Sequence, residues 1–183
     1  MGILLAFVPF IVFVIADRFA GAMAALVLAA LASAALLVRE QMTTARAPKI
    51  LEIGTLVLFG GLALYAFLAR PAWSVIGVRL CVDSGLLLIV LVSMAVGRPF
   101  TLQYAREQVA PEFWARPEFV RANYVITAVW AAAFAVMVIV ECALLYVPGL
   151  PSNVGVVVIV LALLGAVRFT GWYPKHLRAS RSA

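Results

Sequence analysis

The chain has 183 residues, of which 66% are hydrophobic and only 12% are charged, and its formal net charge is +6 at pH 7. A water-soluble domain of this length could not bury so much apolar surface in its core, so lipid must solvate much of the chain. The positive charge does not indicate nucleic-acid binding, because the basic residues stand at the ends of apolar runs, where membrane proteins carry orienting charge.

Six apolar runs predict an all-α, polytopic transmembrane helical bundle with six spans. Roughly 20 apolar residues cross a ~30 Å hydrocarbon layer as a helix, and a helix satisfies its own backbone in lipid. The runs cover residues 2–16, 19–38, 50–69, 73–96, 123–147 and 153–167. The first run is the shortest, so five spans preceded by a short N-terminal segment is the alternative. We therefore expect one integral membrane domain over residues 1–183, with a basic tail at 168–183.

The second run carries small residues at every fourth position, namely Gly21, Ala25, Ala29 and Ser33. This spacing places them on one face of a helix, where small side chains allow another helix to approach closely. In the third run, the pair at residues 60–61 consists of two glycines, which predicts either a close helix crossing or a local bend.

The distribution of the basic residues predicts the orientation, because cytoplasmic loops carry an excess of Lys and Arg. Eleven of the fourteen fall on one side of the six spans: Arg39, Arg46, Lys49, Arg98, Arg106, Arg116, Arg121, Arg168, Lys175, Arg178 and Arg181. The other side has only Arg18, Arg70 and Arg79. Both termini are therefore expected in the cytoplasm, and a first run that fails to span would move only the N-terminus.

Three charged residues inside apolar runs predict an intramembrane charge cluster, consisting of Arg79, Asp83 and Glu141. Arg79 and Asp83 are four residues apart and share a helix face. Glu141 lies near the outer end of the fifth run, at a comparable depth. Because an unpaired charge in lipid costs about 3 kcal/mol or more, we expect Arg79 to bridge both acids. Such a cluster serves either as a neutralising clamp between two helices or as a proton or ion site.

Two cysteines, Cys81 and Cys142, lie inside apolar runs without metal-ligand spacing, and we expect free thiols rather than a disulfide. Neither a nucleophile–base pair nor a cofactor motif is recognisable in the sequence. We therefore expect a protein without enzymatic activity, metal or cofactor.

The only sizeable polar segment is residues 97–122, which we call the elbow. A proline at position 99 can start a short helix through about Val109, in which Phe100, Tyr104 and Val109 are predicted to face the membrane. Aromatic and charged residues then alternate, which is typical of a segment lying at the inner membrane surface, although a protein-docking surface is the alternative. The candidate contact residues are Arg98, Pro99, Phe100, Tyr104, Phe113, Trp114 and Arg116.

Short motifs along most of the chain resemble the intracellular septation protein A family, whose members are inner membrane-spanning proteins of bacteria. They are Phe7-Val8-Pro9-Phe10-Ile11-Val12-Phe13, Lys49 with Leu58-Phe59-Gly60-Gly61-Leu62, Gly97-Arg98-Pro99-Phe100, Pro111, Trp114, Trp130, Phe134, and finally Tyr173 with His176. The resemblance implies a divergent, non-enzymatic member of this family, which supports the cell envelope and division through contacts with membrane-bound synthesis machinery. It implies no catalytic residues. The alternative function is a small transporter or ion-coupled carrier that uses the charge cluster.

Overall fold

The computed structural model describes residues 5–44 and 48–182, which form helices without β-strands, so the predicted all-α class is confirmed. Residues 2–4 of the first run and Arg46 lie outside the described residues, as do the side chains of Arg178 and Arg181. The helices are α1 (Val8–Thr44), α2 (Ile50–Ala69), α3 (Val75–Ala95), α4 (Phe100–Ala105), α5 (Pro117–Tyr146) and α6 (Ser152–Ser182). Two short 3₁₀ turns, Arg106–Gln108 and Pro111–Phe113, lie between α4 and α5.

Five of the described helices, α1, α2, α3, α5 and α6, are long and apolar enough to cross a membrane. The chain is thus a multi-pass membrane protein. The sixth predicted span is not a separate helix, because the first two apolar runs are joined within α1.

Helix α1 is broken at Gly21, where φ is 79° and ψ is 168°. A positive φ places Cβ too close to the backbone in other residues, whereas glycine adopts it freely. The break separates an N-terminal arm (residues 8–20) from a long arm (residues 22–44).

The N-terminal arm runs back alongside α2. The break lies beside the C-terminal end of α2, because Ala22 and Ala66 line the same cavity. Phe59 lies seven residues before Ala66, about 10 Å further back along α2. The rings of Phe13 and Phe59 nevertheless have centroids only 5.8 Å apart. A continuous straight α1 would carry Phe13 beyond the end of α2 instead.

The N-terminal arm has 13 residues and is about 20 Å long, which is short of a ~30 Å hydrocarbon layer. The structure therefore matches the alternative of five long spans preceded by a short N-terminal segment. The physical reason is the break itself, since a glycine with positive φ reverses the chain without a polar loop.

The predicted small-residue face of the long arm is buried, with Ala25 and Ala29 at 0% and Ser33 at 2% exposure. This part of the prediction is confirmed. The first member, Gly21, is the break and not a packing position. Phe13 and Phe59 belong to the same buried core.

The predicted close crossing at residues 60–61 is not found, because a Cβ atom added to either glycine would meet nothing within 4 Å. Two other glycines make the close contacts between α2 and α3. A Cβ on Gly54 would lie 2.7 Å from Ile89, and a Cβ on Gly85 would fall within the side chain of Leu58. Each glycine thus accommodates a branched side chain of the opposite helix.

An ion-pair group joins the end of α1 to the start of α2. The Lys49 Nζ atom lies 2.9 Å from a carboxylate oxygen of Glu40 and 3.2 Å from one of Glu52. The Lys49 side chain is only 9% exposed, so both acids help to compensate a largely buried charge.

The chain divides into two compact units, Met1–Ile89 and Val90–Ala183. In the second unit, α5 and α6 pack in antiparallel directions. Gly155, near the start of α6, lies against Leu144, near the end of α5. Further along, the Trp130 Nε1 atom donates a hydrogen bond of 2.9 Å to the Thr170 hydroxyl. Helix α5 has 30 residues and a length of about 45 Å, so it exceeds a ~30 Å hydrocarbon layer by several turns.

Candidate functional site

The structure gives Arg79 an acidic neighbour that the sequence analysis did not consider. The Arg79 Nη2 atom lies 3.6 Å from Oδ2 of Asp17, which belongs to the N-terminal arm. The Asp17 side chain is 3% exposed, and that of Arg79 is 37% exposed. This ion pair fastens the N-terminal arm to α3 within the first unit.

The contact between Asp17 and Arg79 leaves hydrogen-bonding capacity unused. The Oδ1 atom of Asp17 and the Nε atom of Arg79 are both buried without a hydrogen-bond partner among the described residues. Buried polar atoms are usually satisfied by protein or by ordered water. Both atoms therefore remain unsatisfied within the described part of the chain.

The two predicted partners of Arg79 lie in different units. Asp83 is half-buried on α3, one helical turn beyond Arg79. Glu141 is 3% exposed on α5, in the second unit. A bridge from Arg79 to both acids therefore stays a prediction, and Asp17 is added to the charged groups in the apolar segments. Cys81 and Cys142 are half-buried and do not form a disulfide with each other.

The first half of the elbow is folded into the second unit. A glycine at position 97 with φ of 74° turns the chain after α3, and α4 begins directly after Pro99. Phe100 is fully buried, and its ring centroid lies 6.4 Å from that of Trp130 on α5. Since Trp130 is 13 residues into α5, Phe100 lies about 20 Å from the start of that helix.

Hydroxyl groups anchor α4 to α5. The Thr101 hydroxyl donates a hydrogen bond of 2.9 Å to the Asn123 carbonyl and lies 2.7 Å from the Thr127 hydroxyl. The Ser93 hydroxyl accepts a hydrogen bond of 3.2 Å from the Phe100 backbone N–H. All of these groups are buried, and satisfied buried polar groups specify one packing arrangement.

The prediction that Phe100 and Tyr104 face the membrane is wrong. Both are buried within the second unit, with exposures of 0% and 3%. The reason is that α4 is only six residues long and is covered on several sides, because Thr101 and Leu102 between them are buried as well. The alternation of aromatic and charged residues lies further along the elbow, so its placement at the membrane surface stays a prediction.

Several exposed and half-buried residues of the elbow, charged or aromatic, are together called the rim, which we define as Arg98, Arg106, Phe113, Trp114 and Arg116. Arg98 and Arg116 are exposed, whereas the other three are half-buried. The Cζ atom of Arg116 lies 4.3 Å from the Phe113 ring centroid, and that of Arg106 lies 5.6 Å from the Trp114 ring. The Trp114 Nε1 atom donates a hydrogen bond of 2.9 Å to the Val109 carbonyl. Arg106 and Arg116 are thus held by cation–π contacts, while the Arg98 backbone N–H donates a hydrogen bond of 2.9 Å to the Ser93 carbonyl.

A comparison of the predicted sides of the charged residues could have identified Asp17 as a partner of Arg79. Asp17 is the first acid of the chain and lies on the predicted outer side, and Arg79 is a cation predicted on that same side. No comparable signal pointed to Thr101 and Thr127, because hydroxyl residues are generally enriched at helix interfaces in membranes and do not identify a particular pair. Their pairing depends on how α4 is folded against α5.

Within the described residues, no group of three or more His, Cys, Asp or Glu side chains could hold a metal ion. The chain matches no family model, no curated protein and no solved structure. The resemblance to the septation family therefore rests on the motifs quoted above.

Proposed function

We propose that the protein is a non-enzymatic component of the bacterial inner membrane, which supports envelope maintenance and septation through contacts with other membrane proteins or with lipid. The resemblance to the intracellular septation protein A family and the multi-pass helical architecture both support this proposal. In the proposed orientation, the C-terminus and the elbow face the cytoplasm, as the distribution of Lys and Arg predicts.

The observation that carries the proposal is the exposed rim on a firmly packed segment. Arg98 and Arg116 are exposed, while Phe100 and Thr101 of the same elbow are buried and hydrogen-bonded. A surface that is ordered before its partner binds loses less conformational entropy on binding. Arginine and aromatic residues are also enriched at protein interfaces. We therefore propose the rim as the partner contact.

Charge reversal at the rim tests the proposal. The Arg98→Glu/Arg116→Glu variant and the unmodified protein would be affinity-purified from native membranes, and the co-purified division and envelope-synthesis proteins would be quantified. We expect the variant to recover about tenfold less of them, since two charge contacts are replaced by repulsion. Trp114→Ala is less suitable, because Trp114 holds the rim together through Val109.

The matched control is Arg39→Glu, which reverses an exposed charge on the same predicted side but outside the elbow. It should recover the same proteins as the unmodified chain. Recovery of no division or envelope-synthesis protein by the unmodified chain would contradict the proposal, as would equal recovery by the rim variant.

A carrier is the second candidate, and the unsatisfied atoms of Asp17 and Arg79 favour it. Buried charged groups with unused hydrogen-bonding capacity are found along ion and proton pathways in membranes. In this alternative, Asp17 joins the predicted cluster of Arg79, Asp83 and Glu141.

Proteoliposomes containing a pH-sensitive dye would distinguish the two candidates. A proton-coupled carrier should acidify or alkalinise the lumen when a potassium diffusion potential is imposed, and Asp17→Asn should abolish this flux. Flux no greater than in protein-free liposomes would exclude this form of the carrier.

A further inference from the structure

The first unit has a cavity of about 360 Å³ beside the break in α1. Its volume lies within the ~300–1,000 Å³ range of small-molecule sites. The lining residues are Ala22, Met23, Ala66, Phe67, Arg70, Pro71 and Trp73. Met23 is 40% exposed and Phe67 is 61% exposed, so the cavity is open at the protein surface. It is a groove with apolar walls and a single charged residue.

The cation of this groove is not neutralised by the protein. Arg70 is exposed and makes no side-chain hydrogen bond or ion pair with any residue that the structure describes. The acid nearest the break in sequence, Asp17, is buried against Arg79 instead. The groove therefore presents one uncompensated positive charge.

The backbone of Arg70 also has an unusual conformation. Its φ of 44° and ψ of 51° make it the one non-glycine residue with positive φ in the described part of the chain. This left-handed conformation ends α2 as a helix C-cap, in which the Arg70 backbone N–H donates a hydrogen bond of 3.1 Å to the Ala66 carbonyl. A glycine would remove the strain, but it would also remove the guanidinium.

The groove lies at the level of a membrane surface, because Arg70 follows the last residue of α2 and Trp73 precedes the first residue of α3. The Trp73 ring contacts Tyr65, with centroids 5.5 Å apart. Trp and Tyr are enriched where hydrocarbon meets headgroups. An amphipathic molecule in the bilayer would thus have its polar end beside Arg70 and its chain beside Met23 and Phe67.

We propose that this groove is a binding site for an anionic phospholipid of the surrounding bilayer. The phosphate pairs with the Arg70 guanidinium, whose fork geometry matches phosphate oxygens, and one acyl chain occupies the apolar groove. A zwitterionic lipid is less suited, because its cationic headgroup would lie near Arg70. This inference is independent of the elbow and of the function proposed for it.

Competition for bound lipid tests the proposal with the purified full-length protein. The protein would be delipidated, incubated with phosphatidylglycerol or phosphatidylcholine, and examined by native mass spectrometry. We expect the unmodified protein to retain one phosphatidylglycerol molecule per chain. In Arg70→Gln the affinity for this lipid should fall about fivefold, because one basic side chain near an anionic lipid contributes that much. Arg70→Lys keeps the charge and should keep most of the preference.

Two further variants test whether the retained lipid is bound in the groove. Arg39→Gln removes an equal charge at the other end of α1 and should leave the retained lipid unchanged. Met23→Trp should displace the acyl chain while Arg70 remains, and so should also reduce lipid retention. Circular dichroism would verify that each variant is folded.

Several outcomes would overturn the proposal. Equal retention of the two lipids by the unmodified protein would show no anionic preference. Unchanged retention in Arg70→Gln would place the lipid elsewhere. Competition by glycerol phosphate at the same concentration as the lipid would show a site for soluble anions, since the acyl chain would then contribute nothing.

Discussion

Asp17 and Arg79 show how a charge inside an apolar segment can find its partner far along the chain. Their separation in sequence is 62 residues, and only the reversal of α1 at Gly21 allows the 3.6 Å contact. The i,i+4 spacing of Arg79 and Asp83 suggested a local pairing. That local pairing stays a prediction, and the Asp17 contact shows that helix packing can also bring an acid from a distant segment to a cation in lipid.

Arg79→Leu should destabilise the protein by about 2 kcal/mol, because the Asp17 carboxylate would stay buried without its cation. The loss is expected to be smaller than that for a fully buried pair, since 37% of the Arg79 side chain is exposed. Thermal unfolding in detergent measures the change. The double variant Asp17→Leu/Arg79→Leu should recover part of the stability, because the buried Asp17 carboxylate is then removed together with its cation. Unchanged stability of Arg79→Leu would contradict a clamping role.

Gly21→Ala should destabilise the protein by about 1–3 kcal/mol, because φ of 79° with ψ of 168° is a conformation that essentially only glycine adopts. The strain lies in the backbone alone, since an added Cβ would meet no atom within 4 Å. Gly61→Ala is the matched control, because its Cβ also meets nothing but its backbone is helical. That change should be neutral or stabilise by about 0.5–1 kcal/mol. Equal effects of the two changes on the unfolding temperature would refute the proposed role of Gly21.

At the scale of elements, the apolar runs predicted the long helices well. The runs at residues 50–69 and 73–96 correspond closely to α2 (Ile50–Ala69) and α3 (Val75–Ala95). The elbow was harder to predict, because α4 owes its position to hydroxyl contacts with α5 and not to its own periodicity. A six-residue helix has too few turns to show which of its faces is buried.

A photo-crosslinker tests whether the N-terminal arm runs back along α2. With p-benzoylphenylalanine at position 10, irradiation should link the arm to the peptide containing Phe59, because the rings of Phe10 and Phe59 have centroids 5.0 Å apart. Mass spectrometry of the digested protein would identify the link. The same crosslinker at position 11 is the control, since Ile11 is 55% exposed and should not react with Phe59. A link from position 10 only to peptides outside α2 would rule out the reversed arm.

At the scale of the whole molecule, orientation is the prediction that most affects the functional argument. In a variant without Cys81 and Cys142, single cysteines at Ala110 and Leu150 should react with a membrane-impermeant maleimide from opposite sides. Both positions are exposed, and α5 crosses between them. In intact spheroplasts, the cysteine at 150 should be labelled and that at 110 should not. The reverse pattern would place the elbow outside the cytoplasm and would contradict the proposal that it contacts partners from the cytoplasmic side.

The sequence by itself determined the class of this protein, because a chain with so little charge must be solvated by lipid and must satisfy its backbone in helices. It also determined the buried small-residue face at Ala25, Ala29 and Ser33, which follows from helical periodicity alone. Only the tertiary structure decided that α1 reverses at Gly21, that Asp17 contacts Arg79, and that Phe100 is buried. Each of these depends on contacts between segments distant in the chain, and a local pattern of hydrophobic and charged residues does not encode which segments meet.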